Sequence, residues 1–286
     1  MNSPESSENE WLFEIVPKNK FFSLHLKEVW RYRDLLLLFV KRDVVTVYKQ
    51  TILGPLWFFV QPVLTSLIYI VLFGQVAKLS TDGLPQLAFY LSGITIWNYF
   101  SDSLTKTSTV FQTNASIFGK VYFPRLIMPL SIVFSGLLKF AIQFLLFIGV
   151  VLYYTFVKEE IQPNWWVLAT PLLIVMMASF ALGLGMIFSS LTTKYKDLVF
   201  LLSFGIQLYM YATPVVYPIS AMPEKYRWIV DMNPLSGIIE CFRYGYLGSG
   251  HFEPFSLVYS AVFIVILLFT GIVIFNKVEK SFMDTV

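Results

Sequence analysis

Five stretches of this chain contain no Asp, Glu, Lys or Arg: Gln50 to Ala77, Gly83 to Ser101, Ile161 to Thr193, Leu198 to Pro223 and Pro254 to Asn276. A sixth, Leu126 to Val157, contains only Lys139. A helix needs about 20 mostly apolar residues to cross roughly 30 Å of hydrocarbon. The runs therefore predict an all-α polytopic membrane protein with six spans, near 52–76, 84–104, 126–156, 165–191, 198–218 and 255–276. Charged residues make up 14% of the 286 residues, against about 25% in ordinary soluble proteins. The single cysteine, Cys241, excludes a disulfide scaffold, and a formal charge of +3 is too small to suggest a nucleic-acid partner.

An even number of spans puts both termini on one side. Fifteen Lys and Arg residues fall on the side of the termini and five on the other, which predicts both termini in the cytoplasm. Residues 1–23, acidic at Glu5, Glu8, Glu10 and Glu14, are unlike a cleaved signal and are expected to be a poorly ordered cytoplasmic tail. Residues 24–286 are expected to form one transmembrane domain. Within it, 24–48 carries apolar residues at three- and four-residue steps with Lys27, Arg31, Asp34, Lys41 and Arg42 elsewhere on the wheel. That pattern predicts an amphipathic helix in the membrane interface, bent or divided at Arg33. The long outer loop 219–253 contains an uncharged run, Met232 to Ile239, too short to cross. It reads either as two short re-entrant helices broken at Asn233-Pro234 or as a surface loop with an interfacial turn.

The chain shows no phosphate-binding G-x-x-x-x-G-K-[ST] motif, no Cys/His cluster and no Asp-x-Asp pair, so no catalytic residues, metal site or resident cofactor are expected. Lys139 within span three is read either as a lysine snorkelling to the headgroups or as a functional membrane charge. Asp102 and Lys106, four apart, are placed to pair along one helix.

Four ordered motifs resemble the permeases of bacterial ABC exporters for polysaccharides such as O-antigen, capsule and teichoic acid. They are Arg42-Asp43-x-x-x-x-Tyr48-Lys49-Gln50-x-x-Leu53-Gly54-x-x-Trp57-x-x-x-Gln61-Pro62; Lys120-Val121-Tyr122-Phe123-Pro124-Arg125 with Pro129; Asn233-Pro234 with Glu240 and Arg243; and Phe275-x-x-x-Glu279-x-x-Phe282-x-Asp284. The resemblance implies a homodimer in the bacterial inner membrane, with two copies of a separate ABC ATPase that binds ATP and Mg. The implied cargo is a polysaccharide on undecaprenyl diphosphate.

It further implies that Lys41, Arg42 and Lys49 meet the pyrophosphate; plain positive-inside anchoring is the competing reading of each. Phe58, Phe59, Trp97, Tyr99, Phe100, Tyr209, Tyr211 and Tyr217 would offer flat faces to passing sugars, against the alternative of lipid-facing and interfacial filling. Asn114, Ala115, Ser116, Ile117 and Phe118, with Trp30 and Arg31, would contact the ATPase. Pro214 and Pro218, expected to bend span five, and the Asn233-Pro234 break would mark the outer gate. An ABC permease for capsule, teichoic acid, a small lipid or a drug, and a membrane-embedded lipid or sugar transferase, are the alternatives.

Overall fold

In the computed structural model, which describes residues 26–49, 54, 56–118, 121, 123–250 and 252–282, every regular element is a helix. The expected tail over 1–23 lies outside the described residues, as do Gln50, Leu53, Lys120, Tyr122 and Asp284 of the motifs. The segment expected as one interface helix is two, α1 (Leu26–Arg31) and α2 (Arg33–Lys49), which meet at Tyr32. α3 (Leu56–Tyr69) continues as a π-helical turn over Ile70–Val76. α4 (Gln86–Ser108) is followed by two single-turn helices, α5 (Val110–Thr113) and α6 (Ala115–Phe118). α7 (Ile127–Phe156) and a 3-10 turn (Trp165–Ala169) lead into α8 (Thr170–Thr192). α9 (Leu198–Tyr211), α10 (Glu224–Asp231), α11 (Pro234–Leu247) and α12 (Pro254–Phe282) complete the chain.

Among the described residues, four helices are long and apolar enough to cross a membrane: Leu56–Val76, Ile127–Phe156, Trp165–Thr192 and Pro254–Val278. Two of the six expected spans are not among them, for different reasons. α4 has the length, 23 residues, but carries Ser92, Thr95, Asn98, Ser101, Asp102, Ser103 and Lys106, and most of it is buried. A helix enclosed by protein has no need of a lipid-soluble surface. α9 is apolar but has only 14 residues, about 21 Å at 1.5 Å per residue.

The expected bend in span five is a termination. α9 stops at Tyr211 instead of running to 218. Pro214 has no N–H to continue the ladder, its ring would collide with the carbonyl of Met210, and it pushes the residue before it out of helical conformation. Residues 212–217 run as turns and bends, and Pro218 heads a 3-10 turn over Ile219–Ala221. The break expected at Asn233-Pro234 separates α10 from α11, with Asn233 as the N-cap of α11.

α8 is the central helix, packed against α4 on one side and α12 on the other. Glycines set both distances. A Cβ on Gly185 would sit 2.5 Å from the Thr107 Cβ on α4, and one on Gly271 of α12 would sit 2.5 Å from the Gly183 carbonyl oxygen. Lipid supplies no hydrophobic drive between helices, so close van der Waals approach through small residues holds such a bundle together. α2 lies along α7, with Phe39 buried 5.7 Å from Phe123, while Leu37 and Leu38 remain exposed.

Candidate functional site

Where α2, α3, α4 and α7 converge, they enclose a cavity of about 500 Å³, within the range of small-molecule sites. Its charged wall is Arg42 and Asp43 from α2, Asp102 and Lys106 from α4, and Lys139 from α7. Asp102 does not take the partner four residues along its own helix. It accepts a 2.5 Å hydrogen bond from Lys139 Nζ, which also lies 5.7 Å from the centre of the Phe58 ring. The cross-helix partner wins because both groups are partly buried, where an ion pair is screened less than at a surface. Lys106 makes no ion pair among the described residues.

Arg42 donates to Asp43 at 2.8 and 2.9 Å and stands over the Phe39 ring at 4.9 Å. Of the three basic residues singled out for a pyrophosphate, only Arg42 lines the cavity. Lys41 and Lys49 are exposed on α2, outside it. Lys106 and Lys139 take part instead. Of the two readings of Lys139, its place in the wall agrees with the membrane charge, while Lys106 enters the wall without the expected pairing to Asp102.

The aromatic residues divide by burial. Phe100 is wholly buried between Phe180, at 5.0 Å, and Tyr209 and Trp97, at 6.0 and 5.7 Å. Trp97 is buried against the same tyrosine. Tyr99, also buried, packs on Phe140 and donates to the Val133 carbonyl at 3.2 Å. Trp97 and Phe100 therefore have no free face within the chain for a sugar ring, whereas Tyr99 reaches the cavity wall with Phe58. Phe59 and Tyr217 are half-buried, and Tyr217 donates to the Tyr211 carbonyl at 3.0 Å. Tyr209 and Tyr211 have opposite surroundings. The first is packed among aromatics with its hydroxyl engaged, and the second is 54% exposed.

The stretch expected to meet an ATPase, Asn114 to Phe118, folds as Asn114 and the single turn α6, directly after α5. Asn114 Nδ2 donates to the Val110 carbonyl and to Thr113 Oγ1, both at 3.1 Å. Ser116 is exposed, Ala115 and Ile117 are half-buried, and Phe118 is buried against Phe111 and Phe123 with the Arg125 guanidinium over its ring. α5 is tied down in turn: Gln112 Nε2 donates to the Thr192 carbonyl of α8 at 2.7 Å, and Phe111 stacks on Phe275 of α12 at 4.6 Å. Trp30 and Arg31 are exposed on α1, Trp30 at 72%.

At the other end of α4, α11 clamps the turn that follows α9. Asn233 Oδ1 accepts from the Tyr209 hydroxyl at 2.6 Å and from the Leu235 N–H at 2.9 Å. Its Nδ2 donates to the Ala212 carbonyl at 3.1 Å and to Thr213 Oγ1 at 2.8 Å. The amide thereby uses both donors and both acceptor sites, and Pro234 occupies the first helical position, where a missing N–H costs nothing. Between two and three turns further along α11, Arg243, 1% exposed, pairs with Glu240 at 3.0 Å and donates to the carbonyls of Pro214 at 3.0 Å and Val215 at 3.3 Å. It also lies over the Phe89 ring of α4 at 3.8 Å, with Ser92 Oγ 3.4 Å from Nε. Two of the expected gate residues, Pro214 and Asn233, are thus held by one apparatus, and Pro218 lies just beyond it. Glu240 and Arg243, which stand in the third motif without an assigned role, form the buried pair at the heart of this clamp.

Residues 34–247 match the model of the ABC-2 type transporter membrane family. The chain is 33% identical over 253 residues to the O-antigen export system permease protein RfbA of Klebsiella pneumoniae, covering 88% of this chain and 94% of that protein. It is 26% identical to the permease of the same name from Myxococcus xanthus, covering 91% and 98%. With the polysialic acid transport protein KpsM of Escherichia coli it shares 23% identity, covering 85% and 93%. The match takes in α2, the cavity, α5, α6 and the Asn233–Arg243 clamp together, and the chain belongs to the ABC-2 type transporter family as a multi-pass membrane permease.

Proposed function

We propose that this chain is the membrane subunit of an ATP-driven exporter that carries a lipid-linked polysaccharide, of O-antigen type, out of the cytoplasm across the bacterial inner membrane. The observation that carries the reading is the near full-length similarity to permeases named for O-antigen export. The chain works as a homodimer with two copies of a separate ATPase, which supplies ATP, Mg and hydrolysis. Both termini face the cytoplasm, and the six-span path is completed by α4 inside the bundle and by α9 with the turns beyond it. α6 is the contact with the ATPase, supported by its single exposed polar position at Ser116 and its firm root in α5, α8 and α12. Arg42, paired with Asp43, stands in the wall of the cavity that receives the carrier lipid's head group, supported by its place there. Tyr211, exposed at the end of α9, is the aromatic best placed to touch the polymer.

The test is deletion of the gene in its host together with reconstitution of the purified permease–ATPase pair. Loss of the surface glycan with accumulation of lipid-linked chains inside the cell, and ATPase activity stimulated by those chains, are expected. An unchanged surface glycan and an ATPase indifferent to lipid-linked glycan would refute the assignment. The chemical identity of the accumulated chain separates O-antigen from capsule, which the relationship to the polysialic acid transport protein keeps in view.

A further inference from the structure

We infer that the cavity between α2, α3, α4 and α7 is a binding site for a phosphate-ester head group carried on a membrane lipid, with Lys106, Ser103 and Gln143 as its donors. Charge comes first. Three cations and two carboxylates line the cavity; Arg42 is committed to Asp43 and Lys139 to Asp102, which leaves the Lys106 ammonium and one net positive charge. The second observation is independent of charge. Ser103 and Gln143 are 2% and 1% exposed, and Ser103 Oγ and Gln143 Nε2 have no hydrogen-bond partner. Buried polar groups in native proteins are almost always partnered, so an orphan in a cavity wall asks for a ligand.

The other side-chain donors in the wall are already committed, Tyr99 to the Val133 carbonyl and Asn114 Nδ2 to Val110 and Thr113, and that selects the chemistry. The two carboxylates serve Arg42 and Lys139. The hydroxyls of Thr46, Thr109, Thr113 and Ser135 are bonded to carbonyls of their own helices, and the Gln143 carbonyl oxygen accepts from Asn98 Nδ2 at 3.4 Å. What remains is an ammonium, an amide N–H and a hydroxyl. Three donors with a single net positive charge suit a tetrahedral monoanion with several acceptor oxygens, a phosphodiester above all. Phe58, Ile132, Leu138 and Phe140 supply an apolar wall for the part of the ligand next to the phosphate, which favours a lipid ester over a free ion. Gly136 keeps the space: a Cβ there would sit 3.3 Å from Ser103 Oγ and 3.2 Å from the Tyr99 ring. Bulk phospholipid presents one such phosphoryl group, and cargo on a polyprenyl diphosphate presents two in series. Only in the second case does the site rest on the proposed transport function.

The two sources are separated by equilibrium binding of a short-chain fluorescent phosphatidylglycerol to the full chain in detergent, competed by polyprenyl diphosphate, diacylglycerol and inorganic phosphate. Lys106→Gln should weaken binding about 10- to 100-fold, Gln143→Met several-fold, and Lys106→Arg little. Asp102→Asn, which releases Lys139, should tighten it, a gain that no folding defect produces. Exposed Lys158, outside the cavity, serves as the control, and Lys158→Gln should change nothing. Displacement by polyprenyl diphosphate at far lower concentration than by unlabelled phosphatidylglycerol assigns the site to the cargo lipid; equal displacement assigns it to bulk phospholipid. Both support a lipid phosphate-ester site. Equal competition by diacylglycerol, which has no phosphate, or by inorganic phosphate, or wild-type affinity in both Lys106→Gln and Gln143→Met, would overturn it.

Discussion

Replacing Arg243 by Gln tests whether the clamp on the turn after α9 holds the fold. The side chain is buried and pairs with Glu240 at 3.0 Å, so its loss strips a buried carboxylate of its guanidinium. Breaking a buried ion pair by removing one partner costs about 3–5 kcal/mol. The carbonyls of Pro214 and Val215 lose their charged donor as well, which places the expected cost at the upper end of that range. For a chain of this size 1 kcal/mol moves Tm by roughly 2 °C, so a fall of roughly 8–10 °C is expected. The chain carries its own reporter. Cys241 is its only cysteine, lies two residues from Arg243 and is wholly buried, and burial pushes its thiol pKa up to about 12. A thiol-reactive fluorophore is therefore silent on the folded protein and lights up as α11 comes away.

The double variant Arg243→Met with Glu240→Leu separates charge from hydrogen bonding. Replacing both members of a buried pair by apolar groups of similar volume removes the stranded charge, yet the two carbonyls still lack a donor, at about 1–3 kcal/mol. It should melt between wild type and Arg243→Gln. Arg243→Lys keeps the charge but replaces a planar fork by a point donor, and it too should fall between. If Arg243→Gln melted within about a degree of wild type, or if the double variant were the least stable of the set, the ion-pair account would be wrong.

Gly271→Val sets a side chain against the Gly183 carbonyl oxygen, where even a Cβ would be 2.5 Å away; a loss of at least about 1–3 kcal/mol is expected, read as a lower Tm and lower yield of folded protein. Tyr209→Phe removes only the 2.6 Å bond to Asn233 and should cost about 0.5–1.5 kcal/mol. Asn233→Ala forfeits that bond, the cap on α11 and both ties to residues 212 and 213, and should cost clearly more by the same melt. Because Cys241 is buried, Ser116→Cys installs the one accessible thiol; rapid maleimide labelling of the free permease and protection in the ATPase complex are expected, and equal labelling in both states would remove α6 from the docking surface.

The charge-free runs located the elements that lipid itself selects, α3, α7, α8 and α12, because a span facing hydrocarbon must advertise it in composition. α4 showed the same freedom from charge over Gly83 to Ser101, but its polar face and its burial belong to a helix surrounded by protein. Pro214 was legible as a disruption, whereas bend or termination depends on what waits to receive the freed carbonyls. Here Arg243, 29 residues further along, receives Pro214 directly. The pairing of Asp102 was misread for the same reason. A rule for neighbours four apart on a helix knows nothing of Lys139, 37 residues away on α7. The motif Asn233-Pro234 with Glu240 and Arg243 was visible as a string, but its work lies in carbonyls at 212, 214 and 215, and carbonyls carry no sequence signature.

α4 joins the two places where this chain concentrates buried polar chemistry. Near one end Phe89 and Ser92 receive Arg243; near the other, Asp102, Ser103 and Lys106 form the cavity wall. The helix spans about 34 Å between its ends. Beyond the cavity the wall continues through Thr109, Thr113 and Asn114, the residues that lead into α6. One route from α6 to the clamp therefore runs along the cavity, and a second runs through the ties of α5 to α8 and α12, both of which pack on α11. Asn114 is the junction, since it lines the cavity and binds α5 through Val110 and Thr113. If docking on α6 changes the affinity of the cavity for a lipid phosphate, the lipid must change the affinity of docking by the same factor. A filled cavity would then strengthen or weaken the hold on the ATPase before any nucleotide is spent, and the sign of that change decides whether the site admits cargo or restrains an idle transporter.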